Sequence, residues 1–117
     1  MANREGLVAL VAVSDRKAAM QIAEKVVEER LAACVQVLPA MRSVYRWEGK
    51  VQADDEVLCV IKTTRKAWPA LKARVVALHA YEVPEVIALE IADGHAPYLA
   101  WLSESVSAVR APRKSRA

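Results

Sequence analysis

The sequence predicts an α+β fold with the element order β-α-β-β-α-β and a short helix at the end. Three observations support this. Apolar runs of strand length alternate with two segments of helical periodicity, and a tight Gly turn flanked by Tyr and Trp divides the middle of the chain. A length of 117 residues suits one domain with one core. We therefore place a single domain over residues 1–108.

The first half of the chain predicts a strand, a helix and a long hairpin. Residues 7–13 form a continuous apolar strand, and Ser14 or Asp15 can cap the helix that follows. A short β segment at 35–38 should end at Pro39, since proline has no N–H for a strand ladder. The apolar stripe of the helix consists of Ala19, Ile22, Val26, Val27 and Leu31.

The motif Tyr45-Arg46-Trp47-Glu48-Gly49-Lys50 predicts the hairpin turn, with the apolar run 57–61 on the returning strand. A second helix should start at Thr64 or Arg65, with Pro69 in its first turn. A strand is expected at 85–91. The third helix opens at Pro97 and carries Tyr98, Leu99, Trp101 and Leu102. This order is the split βαβ, or ferredoxin-like, arrangement.

The strands are apolar at both alternating positions, although a strand with one wet face should alternate. In a ferredoxin-like fold both main helices cover one face of the sheet and leave the other bare. Residues 7–13, 57–61 and 86–89 would then present apolar side chains on the bare face. A patch of that size indicates an association surface, so we expect an obligate oligomer.

Charge and composition exclude several classes of protein. Apolar residues make up 55% of the chain, which excludes a disordered body. Four of the 17 basic residues lie in residues 109–117. The remaining 13 basic residues nearly balance the 14 acidic residues, so the rest of the chain is close to neutral. We interpret 109–117 as a solvated, disordered basic tail rather than a nucleic-acid-binding segment. The four basic residues are Arg110, Arg113, Lys114 and Arg116.

No apolar run is long enough to span a membrane, and the start of the chain lacks a secretory signal. We therefore expect a cytoplasmic protein without a membrane partner. Cys34 and Cys59 are too far apart for a local metal or redox motif. Both are expected to be reduced and buried.

A series of motifs follows in order along the chain: Glu29-Arg30-Leu31-Ala32-Ala33-Cys34-Val35, Tyr45 to Lys50, Glu56, Ile61-Lys62-Thr63-Thr64, residues 79–85 and Tyr98-Leu99-Ala100-Trp101-Leu102. With these motifs the chain resembles the CutA family from residue 7 to residue 102. The resemblance implies a ferredoxin-like protomer in a homotrimer similar to the PII signalling trimers. It also implies a role in tolerance of divalent metal ions, usually copper.

The metal ligands proposed for that family are a Cys in the first strand and a His-His pair after the second helix. Here Val11 and Leu78 stand at two of these three places, and only His79 remains. One imidazole cannot form a tight copper or zinc site. We predict weak binding of Cu²⁺ or another divalent cation at His79, and otherwise no cofactor.

A ligand pocket is expected at a cleft between subunits, where a small organic or phosphorylated molecule would bind. The alternative is that its aromatic residues pack in the interface and that Lys62 pairs with Glu56 or Glu85. The predicted pocket residues are Trp47, Glu56, Lys62, Tyr81, Glu85, Tyr98 and Trp101.

Catalysis is not expected, because the chain has no nucleophile elbow and only three glycines for a phosphate loop. The first hypothesis is a trimer that responds to a metal ion or a small molecule. The alternatives are a PII-like trimer that binds a small molecule or anion in signalling, and an interaction scaffold with no ligand.

Overall fold

Four strands form one antiparallel sheet in the order β2-β3-β1-β4, with three helices, in a computed structural model that describes residues 5–106. The predicted α+β class and element order are confirmed. The predicted tail, 109–117, lies outside the described residues. The elements are β1 Gly6–Val13, α1 Arg16–Glu28, β2 Cys34–Trp47, β3 Lys50–Thr64, α2 Trp68–Leu78, β4 Val86–Glu90 and α3 Ala96–Ser105.

A side-chain cap marks the start of α1, whereas α2 and α3 begin without one. The Asp15 carboxylate accepts a hydrogen bond from the backbone N–H of Ala18 at 2.8 Å and so caps α1, as predicted. α2 begins at Trp68, so a start at Thr64 or Arg65 was wrong. Thr64 is still in β3, where it pairs with Gly6. Its hydroxyl accepts a hydrogen bond from the N–H of Ala67 at 3.1 Å.

The strands of the hairpin are longer than predicted. β2 does not end at Pro39, because a register shift between Leu38 and Met41 lets the strand continue. Proline is tolerated there since β2 is an edge strand of the sheet. Glu48 and Gly49 form the turn with φ angles of 52° and 80°. Two positive φ angles match the right-handed twist of the flanking strands.

The outer half of this hairpin pairs only with itself. β1 pairs with β3 from Val57 to Thr64 and no further. Residues 41–56, called here the hairpin arm, therefore extend past the rest of the sheet. Val44 and Val51 on the arm are 69% and 66% exposed.

One face of the sheet holds the core and the other is open. α1 and α2 pack over Val11, Cys59 and Ile61, which are fully buried. The alternate positions of the same strands point to the opposite face and are also apolar. This confirms that the strands are apolar on both faces of the sheet. Ile87 and Leu89 on that side are 47% and 52% exposed. We define the open face by Val8, Leu10, Leu58, Val60, Ile87 and Leu89.

None of the helices within residues 5–106 is long and apolar enough to cross a membrane.

Candidate functional site

The predicted pocket residues lie in two separate groups, one beside the middle of β3 and one near its Thr64 end. Trp47, Glu56, Tyr81 and Glu85 line one groove. Lys62 lies six positions along β3 from Glu56, which at about 3.3 Å per residue is about 20 Å away. Tyr98 and Trp101 lie at the Lys62 end, where Tyr98 contacts Cys34, the cross-strand neighbour of Lys62.

The groove is a cavity of about 860 Å³ between the hairpin arm, the end of β1 and residues 81–85. Three aromatic rings, those of Tyr45, Trp47 and Tyr81, lie along it. No Lys or Arg is among its lining residues. We call it the acidic groove, because its lining includes the carboxylates of Asp54, Asp55, Glu56, Glu82 and Glu85.

Two tyrosine hydroxyls hold carboxylates in place in the acidic groove. Tyr81 Oη donates a hydrogen bond to Glu56 Oε2 at 2.7 Å, and Tyr45 Oη donates one to Asp54. Burial, followed by the hydrogen bond to Glu56, raises the pKa of Tyr81 above its usual value. The bond to Asp54 raises the pKa of Tyr45. Both phenols therefore stay neutral donors across the physiological range.

The remaining carboxylates differ in how far they are neutralised. Asp55 forms an exposed ion pair with Arg42, with 2.9 Å between Oδ1 and Nη1. Glu82 and Glu85 have no hydrogen-bond or ion-pair partner in the part of the chain that the structure describes. The groove therefore carries uncompensated negative charge beside aromatic rings, which suits a cationic group.

His79 lies next to this groove, and backbone groups occupy both of its ring nitrogens. Nε2 is 2.7 Å from the carbonyl oxygen of Ala12, and Nδ1 accepts a hydrogen bond from the N–H of Tyr81 at 3.1 Å. Because a carbonyl can only accept, the proton is on Nε2 and the ring is neutral. The His79 and Tyr81 rings are 4.6 Å apart between centroids.

This geometry does not fit the metal role predicted for His79, because neither nitrogen has a free lone pair. Within residues 5–106 no three His, Cys, Asp or Glu side chains are arranged to hold a metal ion. Val11 is fully buried among apolar side chains, and Leu78 packs against the same core. The described residues therefore provide no preformed metal site.

The second group surrounds Lys62 at the other end of the sheet. Lys62 Nζ donates a hydrogen bond to Gln36 Oε1 at 2.6 Å. Lys62 therefore does not pair with Glu56 or Glu85 within this chain, and its pairing with either residue of another chain stays a prediction. Cys34 Sγ lies 3.8 Å from Tyr98 Oη. The Tyr98 and Trp101 rings are 5.4 Å apart. We call Cys34, Gln36, Lys62, Tyr98 and Trp101 the Lys62 cluster.

Sequence reasoning missed several residues at both places. Tyr45 was within a motif already noted, and the run Asp54-Asp55-Glu56 was a visible acidic signal. Gln36 was the one polar residue in an apolar β segment, beside a strand that ends in Lys62. Cys34 was assigned to the core, but it is only half-buried.

Comparison with known proteins gives a consistent result. A family model described as "CutA1 divalent ion tolerance protein" matches residues 7–105. A divalent-cation tolerance protein CutA from Thermus thermophilus is 52% identical over 98 residues, which is 84% of this chain and 95% of that protein. The crystal structure of CutA1 from Oryza sativa superposes with a TM-score of 0.86 at 45% identity, covering 89% of this chain and 95% of that one.

A chloroplastic CutA protein from Arabidopsis thaliana is 48% identical over 99 residues. The match covers 85% of this chain but only 54% of that protein, so this chain spans about half of its length. The family model covers nearly all the described residues, including the acidic groove and the Lys62 cluster. The chain belongs to the CutA1 divalent ion tolerance family.

Proposed function

We propose that this protein acts in divalent-cation tolerance as a cytoplasmic, non-enzymatic homotrimer of PII-like architecture. A small ligand binds where the acidic groove of one subunit meets the Lys62 cluster of the next. The observation that carries the proposal is the separation of the predicted pocket residues into two incomplete groups about 20 Å apart on β3. A second copy of the chain is the simplest way to join them.

The open face supports assembly. Within residues 5–106, α1 and α2 pack on the core side of the sheet, whereas the six aliphatic side chains of the open face stay half-buried or exposed. Exposed apolar area of this kind is a driving force for association. The hairpin arm adds to it, because a two-stranded ribbon is marginally stable without further packing.

The charges indicate what the joined site would recognise. The acidic groove attracts a cationic group, and Tyr45, Trp47 and Tyr81 offer ring faces to it. Lys62 would bind an anionic group of the same ligand, with Gln36 holding its ammonium in place. A ligand with both charges therefore suits the joined site better than a simple anion.

Copper fits this site only weakly. The negative charge of the groove raises the local concentration of divalent cations. Tight binding, however, needs several convergent ligands, and both nitrogens of His79 are engaged. We therefore propose weak Cu²⁺ association with no fixed stoichiometry.

The test of assembly uses two aspartate substitutions that differ only in their place on the surface. Ile87 on the open face and Val76 on α2 are 47% and 48% exposed in the single chain. Ile87→Asp should yield a smaller species in light scattering, because it would bury an unpaired carboxylate in the interface. Val76→Asp should remain a trimer. Wild-type monomers at micromolar concentration would refute the proposal.

The ligand is sought by thermal denaturation with Cu²⁺, Zn²⁺, nucleotides and amino acids, since a ligand that binds only the native state raises its stability. A trimer stabilised by none of these would favour the interaction-scaffold hypothesis. Stabilisation that survives Ile87→Asp in the monomer would mean that one subunit suffices. Cell fractionation tests the cytoplasmic location.

A further inference from the structure

The loop at residues 79–85 joins α2 to β4, and several of its residues line the acidic groove. We propose that protonation of His79 releases this loop and so makes the groove sensitive to pH. The switch lies within one chain and needs neither the trimer nor the ligand proposed above. Only its effect on ligand binding rests on the proposed function.

Neutral His79 holds the loop through two backbone groups. Its Nε2–H donates a hydrogen bond to the Ala12 carbonyl at 2.7 Å, and its Nδ1 accepts one from the Tyr81 N–H at 3.1 Å. Nδ1 can accept only while it carries no proton. In the imidazolium ion both ring nitrogens are donors, so Nδ1–H and the N–H of Tyr81 would face each other. The bond to Ala12 survives protonation, whereas the bond that holds Tyr81 is lost.

A cavity on the helix side of the sheet gives solvent access to His79. It has a volume of about 160 Å³ and is lined by residues of α1 and by the end of α2. Both helices pack on the core side, so this cavity and the open face lie on opposite sides of the sheet. Ser14, Gln21 and Ala80 on its wall are exposed. Protons therefore reach His79 even when a neighbouring subunit covers the open face.

The surroundings of His79 leave its own ring as the group that responds near neutral pH. Imidazole is the side chain whose charge ordinarily changes between pH 5 and 8. Burial raises the pKa of Tyr81, so its phenol stays neutral in this range. The other charged groups near His79 are carboxylates: Asp15, which caps α1, Glu56, which binds Tyr81, and Glu82 and Glu85 of the loop. The cavity residues from β1 to α1 do not ionise in this range: Val13, Ser14, Ala18, Gln21 and Ile22.

Release of the loop changes the acidic groove in two ways that act in the same direction. Tyr81 carries both the N–H that His79 holds and the hydroxyl that donates to Glu56 at 2.7 Å. Movement of its backbone therefore disturbs the hydrogen bond to Glu56. The imidazolium also adds a positive charge beside the carboxylates of the groove. Both effects weaken the attraction of the groove for a cationic group, so acid should lower the affinity of the proposed trimer for its ligand.

The test measures hydrogen exchange of backbone amides by NMR in the full-length protein at about pH 7.5 and about pH 5. The ionisation of the His79 ring is read from the shifts of its carbon-bound protons. Protection of the Tyr81 N–H, corrected for the intrinsic exchange rate at each pH, should fall about tenfold when the ring is charged. The Ala67 N–H is the matched control, because it donates to the Thr64 hydroxyl, which does not ionise. Its protection should not change.

Two variants separate His79 from the carboxylates. His79→Gln keeps a neutral donor and acceptor, so the Tyr81 N–H should be equally protected at both pH values. Tyr81→Phe removes the hydroxyl that binds Glu56 but keeps the amide, so the pH response at residue 81 should persist.

A His79 ring that stays neutral at about pH 5, or a charged ring with unchanged protection of the Tyr81 N–H, would overturn the proposal. A pH response that survives in His79→Gln would also overturn it, as would an amide that is protected at both pH values in Tyr81→Phe. If either variant fails to fold or loses protection at both pH values, the comparison of Tyr81 with Ala67 in the wild type decides alone.

Discussion

Replacing His79 with alanine tests whether this residue is structural or a metal ligand. The change removes two hydrogen bonds, one to the Ala12 carbonyl at 2.7 Å and one from the Tyr81 N–H at 3.1 Å. A hydrogen bond contributes about 1 kcal/mol, and a buried group left without its partner costs about 1–3 kcal/mol. Ala12 is only 4% exposed, so water replaces the lost partner poorly. We expect the free energy of unfolding to fall by about 2–4 kcal/mol.

The assay is urea denaturation at one fixed protein concentration, with and without a chelator. His95 supplies the control, because it is exposed and its side chain makes no capping hydrogen bond. His95→Ala should change stability by no more than about 0.5 kcal/mol. If His79→Ala matches wild type in chelator, but loses a stabilisation that copper gives the wild type, then His79 is a metal ligand and the structural interpretation is wrong.

Three further predictions follow from the copper site, the hairpin turn and the buried thiol. In calorimetric titration the wild type should show weak copper binding without fixed stoichiometry. A titration curve that shows tight binding at a fixed stoichiometry would contradict this. Gly49→Ala should destabilise the protein by about 1 kcal/mol because φ is 80° there, whereas Glu48→Gly, at a φ of 52°, should not destabilise it. Burial raises the pKa of Cys59 from 9.0 to about 11, so the folded state holds this proton more tightly than the unfolded state. That stability is complete below pH 9 and is lost as the pH rises through 11, by about 3 kcal/mol in total. Cys59→Ala should show a smaller alkaline loss in denaturation series from pH 8 to 11, and an equal loss would refute this assignment.

Local patterns in the sequence predicted most of the fold. Asp15 was recognised as a cap candidate because its carboxylate can reach the first free N–H groups of α1. The strands that are apolar at both alternating positions predicted the open face, because successive side chains of a strand point to opposite faces of the sheet. Pro39 gave the wrong strand end because tolerance of proline depends on whether a strand is at the edge, which only the sheet order reveals.

The site was harder to predict than the fold. Lys62 and Glu56 flank the predicted strand 57–61, and six residues at about 3.3 Å each already separate them by about 20 Å, so the two could meet only between chains. The role of His79 depends on Ala12, which is 67 positions away and offers only a backbone oxygen. No side-chain pattern can show such a partner. Residues that interact through main-chain atoms are therefore the ones that sequence reasoning assigns least well.

The hairpin arm has a consequence for the newly made chain. In the trimer proposed above, a chain that has not yet assembled would expose a ribbon with Val44 and Val51 on its surface, and such ribbons tend to pair edge to edge into aggregates. Charged residues interrupt the arm at intervals, including Arg42, Asp54 and Asp55. Identical arms laid in register would bring like charges together. We therefore expect these charges to act as gatekeeper residues, which oppose aggregation of the single chain before the proposed assembly forms.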